Sequence, residues 1–187
     1  FNGNKIITTG GGGMIIARRS EDSDRAAHLT TQAKSDSVRY EHDEVGYNYR
    51  LTNVQAAIGV AQMECLERFI DAKNDNYNRY QTLLRQVGLP ALWPFRGGTR
   101  SNKWFYSLPL PEELDRDRLM GQLAEEGIQT RPIWGLIHEQ APYADDETYA
   151  IEQASRFRSS ILNLPCSTSL TEEEIVRVVE VLKGLIG

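Results

Sequence analysis

Apolar residues come in short clusters through residues 1–50 and then settle into helical or alternating spacing from about residue 52 onward. Asn2-Gly3 is a strong turn signal, and the β-branched run Ile6-Ile7-Thr8-Thr9 predicts a short strand after it. Gly10 to Gly13 break that run, and residues 14–17 predict a second strand, so a hairpin-like unit is expected here. Residues 22–34 read as a helix with an acidic first turn. Residues 35–50 are polar, tyrosine-rich and without period; they read as a long loop of the kind that carries function.

The strongest helical pattern follows. Thr52 or Asn53 can cap it, and Val54, Ala57, Ile58, Ala61, Cys65, Leu66, Phe69 and Ile70 recur at helical spacing. The pattern weakens across 71–78, resumes at Tyr80, Leu83 and Leu84, and stops at Gly88-Leu89-Pro90. Beyond it, residues 104–110 predict a strand, 115–126 an amphipathic helix stopped by Gly127, and 128–133 a second strand. A loop with Trp134, His138 and Tyr143 leads to a helix over 148–159 and a strand over 161–164. Thr171 and Glu174 form a capping box for a last helix that buries Ile175, Val178, Val179, Leu182 and Leu185. The expected fold class is α/β, with a first part over 1–52, a long connecting helix over 53–88, and a small α/β domain over 89–187. That small domain is expected to lay helices on one face of a mixed or antiparallel sheet.

Composition narrows the function classes. The 187 residues carry 26 acidic against 21 basic side chains, a formal net charge of −5, which disfavours non-specific binding to nucleic acid or an anionic membrane. No apolar stretch reaches the length of a membrane span. Cys65 and Cys166 form no CxxC pair and the three histidines are dispersed, so no metal site is expected. Two cysteines make no disulfide scaffold, which fits a reducing, cytoplasmic setting. The abrupt start at Phe1, without methionine, suggests a fragment of a longer chain.

Few residues could carry chemistry. Lys5 follows a stiff turn, and a partly desolvated lysine there supplies the neutral amine that an aldehyde cofactor needs; a solvated surface lysine is the plainer reading. The four glycines Gly10 to Gly13 lack the Lys-Ser/Thr of a P-loop, so close backbone approach accounts for them better than a phosphate loop. Asn48 and Arg50, just before a helix N-terminus, serve equally well as an anion site or as a capping loop. Arg131, Trp134, His138 and Tyr143 together suit a nucleotide or sugar pocket, although a lone histidine is more often structural.

These motifs jointly resemble one family. Phe1-Asn2-Gly3-Asn4-Lys5-Ile6-Ile7-Thr8-Thr9-Gly10, then Gly12-Gly13-Met14, resembles the cofactor-lysine segment of the DegT/DnrJ/EryC1/StrS family, fold-type I pyridoxal-phosphate aminotransferases that act largely on nucleotide sugars. Gly46-Tyr47-Asn48-Tyr49-Arg50-Leu51-Thr52-Asn53-Val54-Gln55 is similar to its second signature, and Thr130-Arg131-Pro132 through Tyr143, with Asn163-Leu164-Pro165, to a third. The resemblance implies that 1–52 is the remnant of a cofactor-binding large domain. It implies that Lys5 holds pyridoxal 5'-phosphate covalently, that Asn48 reaches the cofactor phosphate of a neighbouring subunit, and that Arg50 belongs to the same motif. Arg131, Trp134 and His138 fall in the segment that lines the sugar-nucleotide site. A homodimer with a shared site is implied, with glutamate as the typical amino donor. Many members carry Gly-Glu-Gly-Gly where this chain has Gly10 to Gly13; the all-glycine form, like the residues from Arg131 to Tyr143, is similar to legionaminic-acid and bacillosamine-type enzymes, which turns the substrate expectation toward a UDP-linked 4-keto-6-deoxy-N-acetylhexosamine, with a GDP- or TDP-linked ketosugar or an aminocyclitol precursor as other acceptors. The family's ring-stacking aromatic residue and pyridine-nitrogen aspartate lie before the lysine segment and have no counterpart here. The alternative is therefore a truncated, non-catalytic domain that folds or dimerises without activity.

Overall fold

Six α-helices and five short strands make up the computed structural model, which describes residues 1–187. They fall into two compact units, Phe1–Glu67 and Arg68–Gly187.

In the second unit the core is built on a three-stranded antiparallel sheet, β3 (Tyr106–Pro109), β5 (Ile161–Leu164) and β4 (Arg131–Pro132), in the order β3-β5-β4. Tyr106 pairs with Leu164 and Leu108 with Leu162, while Arg131 faces Asn163. As the central strand, β5 is buried at all four positions, whereas β3 alternates: Tyr106 and Leu108 point inward and Ser107 and Pro109 are half-buried. Helices α3 (Leu66–Gln86), α4 (Arg116–Glu125) and α6 (Glu172–Ile186) bring Tyr80, Leu84, Leu119, Leu123, Ile175, Val179 and Leu182 into one cluster with those strands. Each such side chain contributes roughly 1.5–3 kcal/mol by leaving water. Asp115 caps α4 through the amides of Asp117 and Arg118, and the Thr171–Glu174 box opens α6 as expected. The expected strand over 128–133 shrinks to Arg131–Pro132, since only these residues pair with β5. Helix α5 is Glu152–Ser160.

The first unit holds α1 (Ser20–Thr30), β1 (Lys34–Asp36), β2 (Glu41–His42) and α2 (Asn53–Glu64). Here the sequence pattern misleads in three places. Helix α1 ends at Thr30 instead of 34, because Gln32 and Ala33 adopt positive φ and turn the chain into β1. The expected loop over 35–50 contains the β1–β2 hairpin, whose turn is held by Asp36 accepting from the amides of Val38 and Arg39. The strands expected over 6–9 and 14–17 do not form: no ladder lies beside them, and Met14, Ile15 and Ile16 stay exposed, the last at 88%.

The helix expected to run from 53 to 88 is two helices, interrupted at Cys65. The Cys65 amide reaches back only to Gln62 and Met63 instead of continuing the i−4 ladder. Helix α2 is apolar around its circumference, yet none of its residues is buried, and Val54, Ile58, Val60 and Met63 face outward.

Candidate functional site

Lys5 sits on a short loop closed on itself. Its amide donates to Asn2 O (3.1 Å), and the Thr9 amide donates to Phe1 O (3.1 Å). The Thr8 hydroxyl donates to the same Phe1 oxygen, and the Gly10 amide donates to Thr8 Oγ1 (2.9 Å). The loop is pinned to α2: the Thr8 amide donates to Gln62 Oε1 (3.3 Å), and buried Thr9 lies so close to Gly59 that a Cβ there would meet its methyl at 3.1 Å. Lys5 is therefore exposed at the end of a braced loop.

Asn48 and Arg50 are brought together at a second place in this unit. They line a groove of about 800 Å³ with Gly12, Gly13, Met14, Ser23, Thr30 and Gln55, among others. Lys5 is not among the residues lining it. The groove owes its shape to Gly12, which has φ +83° and where a Cβ would come within 2.7 Å of Leu51 Cδ1. Asn48 is set in place by backbone pairing: Thr31 bridges it, and the Tyr47 and Tyr49 amides donate to Leu29 O (2.7 Å) and Thr30 O (3.0 Å). Gly46 makes this crossing possible, since a Cβ there would sit 2.3 Å from the Gln32 carbonyl carbon. Thr52 caps α2 in a full capping box with Gln55, leaving the other first-turn amides of α2 beside Arg50.

An ionic cluster ties the same segment to α1. His28 Nε2 lies 2.7 Å from Asp43 Oδ1, and Arg25 forms a two-pronged pair with Glu44. The His28 imidazole beside Asp43 holds its carboxyl below the usual carboxylate range. His28, Asp43 and Glu44 place ligand atoms within 4.8 Å of one another, the spacing a metal ion would need, and Arg25 supplies the cation there.

In the second unit, Arg131 lines a groove of about 400 Å³ with Phe105, Asn163, Pro165, Cys166, Glu174 and Arg177. Trp134 is not among its lining residues, but its ring lies 5.1 Å from that of Phe105, which is, and 5.6 Å from that of Trp104. His138 lies in the 3-10 turn Ile137–Glu139 and is not among the groove's lining residues. Asn163, central in β5, is held by Ser107 Oγ (2.7 Å) and donates to Pro132 O (3.3 Å), which fixes the strand that presents Arg131.

Sequence reasoning missed Lys73. It lies where the helical pattern fades, and it is buried because its ammonium donates to Trp104 O (3.0 Å) and Cys166 O (2.6 Å). Burial pushes its pKa below the usual lysine value. Asn76 does the same for Ser167 O (3.1 Å). The readable signal was the run of polar residues at apolar spacing within a strong helix.

A model of the DegT/DnrJ/EryC1/StrS aminotransferase family matches residues 1–183. The chain is 37% identical over 189 residues to a GDP-perosamine synthase of Caulobacter vibrioides, covering 100% of this chain and 51% of that protein. It is 34% identical over 184 residues to the GDP-perosamine synthase of Escherichia coli O157:H7, covering 96% and 49%. Among solved structures it superposes on the aminotransferase TlmJ of Streptoalloteichus hindustanus with a TM-score of 0.86 at 24% identity, over 96% of this chain and 48% of that one. A second match is a DegT/DnrJ/EryC1/StrS aminotransferase from Brucella abortus, with a TM-score of 0.77 at 26% identity over 92% and 45%. The chain thus spans about half the length of the curated relatives it matches.

Proposed function

Since the chain belongs to the DegT/DnrJ/EryC1/StrS aminotransferase family, we propose that it supplies the lysine-bearing half of an enzyme that moves an amino group from glutamate to the 4-ketone of a nucleotide-linked 4-keto-6-deoxy sugar. The observation that carries this reading is the braced loop that presents Lys5, closed by Thr9 and Phe1 and pinned on α2. Enzymes of the family use pyridoxal phosphate. The donors present fit such a group: an amine on a stiff turn, and an anion cradle of Asn48, Arg50 and Ser23 around Gly12 that a Cβ would spoil.

When bound, pyridoxal phosphate supplies an aldehyde for an amine and a sink for the electrons of the substrate carbon. The chain's own residues do the rest. Lys5 Nζ is the nucleophile that retains the cofactor, and once displaced by an amino donor it carries a proton as base and then acid. Arg50 and Asn48, helped by the first-turn amides of α2, hold a phosphate by charge and hydrogen bonds. Because Lys5 does not line the Asn48–Arg50 groove, we assign that groove to the cofactor of a second copy, in a homodimer with shared sites. Arg131 is assigned to the diphosphate of the nucleotide sugar, Trp134 to stacking on it, and His138 to the loop that closes over it.

The Gly10 to Gly13 quartet supports a UDP-linked N-acetylated acceptor; GDP- and TDP-linked ketosugars are the competing acceptors. A second reading, a truncated non-catalytic domain of the family that folds or dimerises without activity, is favoured by the exposed apolar side chains of α2, among them Val54, Ile58, Val60 and Met63. The division 1–52, 53–88 and 89–187 is kept as a functional proposal, and so is a cytoplasmic setting. No helix is long and apolar enough to cross a membrane.

The test is to mix the chain with pyridoxal phosphate, glutamate and each ketosugar class, following absorbance at about 400–430 nm and the release of 2-oxoglutarate. Colour and transfer that Lys5→Ala abolishes support the aminotransferase. Colour without transfer to any acceptor supports the non-catalytic domain, and no colour removes both the cofactor and the lysine assignment.

A further inference from the structure

Lys73 and Cys166 form a pair that the proposed amino transfer does not use. Lys73 is 4% exposed in the middle of α3, with its Nζ 5.1 Å from the centre of the Tyr106 ring. The amine donates to Trp104 O at 3.0 Å, and Cys166 Sγ donates to the same oxygen at 3.2 Å. The Lys73 amine also donates to the Cys166 carbonyl at 2.6 Å. Amine and thiol are thus gathered on one oxygen atom. Their surroundings differ: Lys73 is closed off in the core, whereas Cys166 is half-buried and lines the groove that Arg131 shares. A small oxidant entering the groove meets Cys166, whose sulfur shares the Trp104 oxygen with the buried amine.

We propose that the pair is a redox modification site, in which a peroxide joins Cys166 Sγ to Lys73 Nζ through a sulfur–nitrogen bond. In the first step Cys166 gives up its thiol proton and its sulfur attacks one peroxide oxygen; the O–O bond breaks and the leaving hydroxide takes that proton, giving a sulfenic acid and water. In the second, the Nζ lone pair attacks sulfur, the S–O bond breaks, and the hydroxyl leaves as water with a proton from nitrogen. The net change is thiol plus amine plus hydrogen peroxide giving the S–N bond and two waters; sulfur is oxidised by two electrons and peroxide is reduced by two. Desolvation favours the neutral amine that the second step requires. An added thiol reverses the bond by attacking sulfur and releasing the amine. The bond ties α3 to the segment between β5 and α6, leaves a neutral nitrogen where an ammonium would first have released its extra proton to solvent, and alters the groove wall beside Arg131. It does not depend on Lys5 or on any cofactor.

The test is hydrogen peroxide treatment of the full chain carrying Cys65→Ser, which excludes a disulfide, followed by intact mass and peptide mapping. The expected product has lost about 2 Da, joins the Lys73 and Cys166 peptides, and returns to the starting mass with dithiothreitol. Lys73→Arg, which keeps a buried donor cation, is expected to give instead a gain of about 32 Da at Cys166. Should that variant fail to fold, dimedone is added during oxidation of the Cys65→Ser chain. Little dimedone on Cys166, beside the joined peptides, supports the bond. Full dimedone labelling, or a gain of about 16 or 32 Da at Cys166 with the Lys73 peptide unmodified, overturns it.

Discussion

Replacing Gly46 with alanine adds one methyl group where residues 43–49 cross the end of α1. A Cβ there lies 2.3 Å from Gln32 C, 2.4 Å from Ala33 N and 2.8 Å from Gln32 Cα. All three are backbone atoms, so no side-chain rotation relieves the overlap, and the two segments must part by about 1 Å. Parting them strains the bonds from Tyr47 N to Leu29 O (2.7 Å), Gln32 N to Tyr47 O (3.0 Å) and Tyr49 N to Thr30 O (3.0 Å). At about 1 kcal/mol net for each, losing two or three costs about 2–3 kcal/mol locally. Amide hydrogen exchange at Tyr47 and Tyr49 should therefore quicken roughly 30- to 150-fold. Asn48 and Arg50 would lose their placement with it, so affinity for phosphate in the groove should fall. Gly184→Ala is the control: nothing lies within 4 Å of a Cβ there, in α6, and that substitution should stabilise by about 0.5–1 kcal/mol. Exchange at Tyr47 and Tyr49 that stays within about twofold of the parent in Gly46→Ala would refute the reasoning.

Gly12→Ala should cost about 1 kcal/mol from its positive φ and push Leu51 into the groove, weakening phosphate binding measured by calorimetry while leaving the second unit's unfolding unchanged. Tyr106→Phe should destabilise by about 1–2 kcal/mol in urea unfolding, because its hydroxyl donates to Lys73 O at 2.7 Å; Tyr80→Phe should be neutral or stabilising, since the Tyr80 hydroxyl is buried without a partner. Burial raises the pKa of both phenols above the ordinary value of 10.0. The folded state then holds more protons than the unfolded one above that pH, so this stability is full below pH 10 and is lost as pH rises beyond it. The double Phe variant should show a shallower alkaline loss in a pH series of urea midpoints.

Much of the second unit was legible because its signals are local. The β5 bounds and the Thr171–Glu174 cap follow from apolar runs and capping chemistry that need no distant partner. The antiparallel sheet agrees with the expected class, and the α/β fold is that of the family's solved structures. The first unit was harder. Ile6 to Thr9 are all β-branched and favour extended backbone, but that preference does not say whether a neighbouring strand exists; here the hydroxyls of Thr8 and Thr9 are engaged within the loop instead. Nothing in the apolar period marks the interruption at Cys65, since Ala61, Cys65, Leu66 and Phe69 keep helical spacing across it. Lys73 was missed for the opposite reason: it is a polar residue at an apolar position of the helix, and only the carbonyls of Trp104 and Cys166, far along the chain, explain why a charge is buried there. Of the candidate site residues, the structure gathers Asn48 with Arg50; Arg131 lines a groove whose Phe105 meets the Trp134 ring, while Lys5 and His138 line neither groove.

The most direct test of the role assigned to Lys5 is reductive trapping. The chain is incubated with pyridoxal phosphate, reduced with borohydride, digested and mapped by mass. A phosphopyridoxyl adduct on the peptide containing Lys5, lost in Lys5→Ala, is the predicted result. Label on Lys34, Lys73, Lys103 or Lys183 in preference to Lys5, or label spread evenly over all of them, would contradict it.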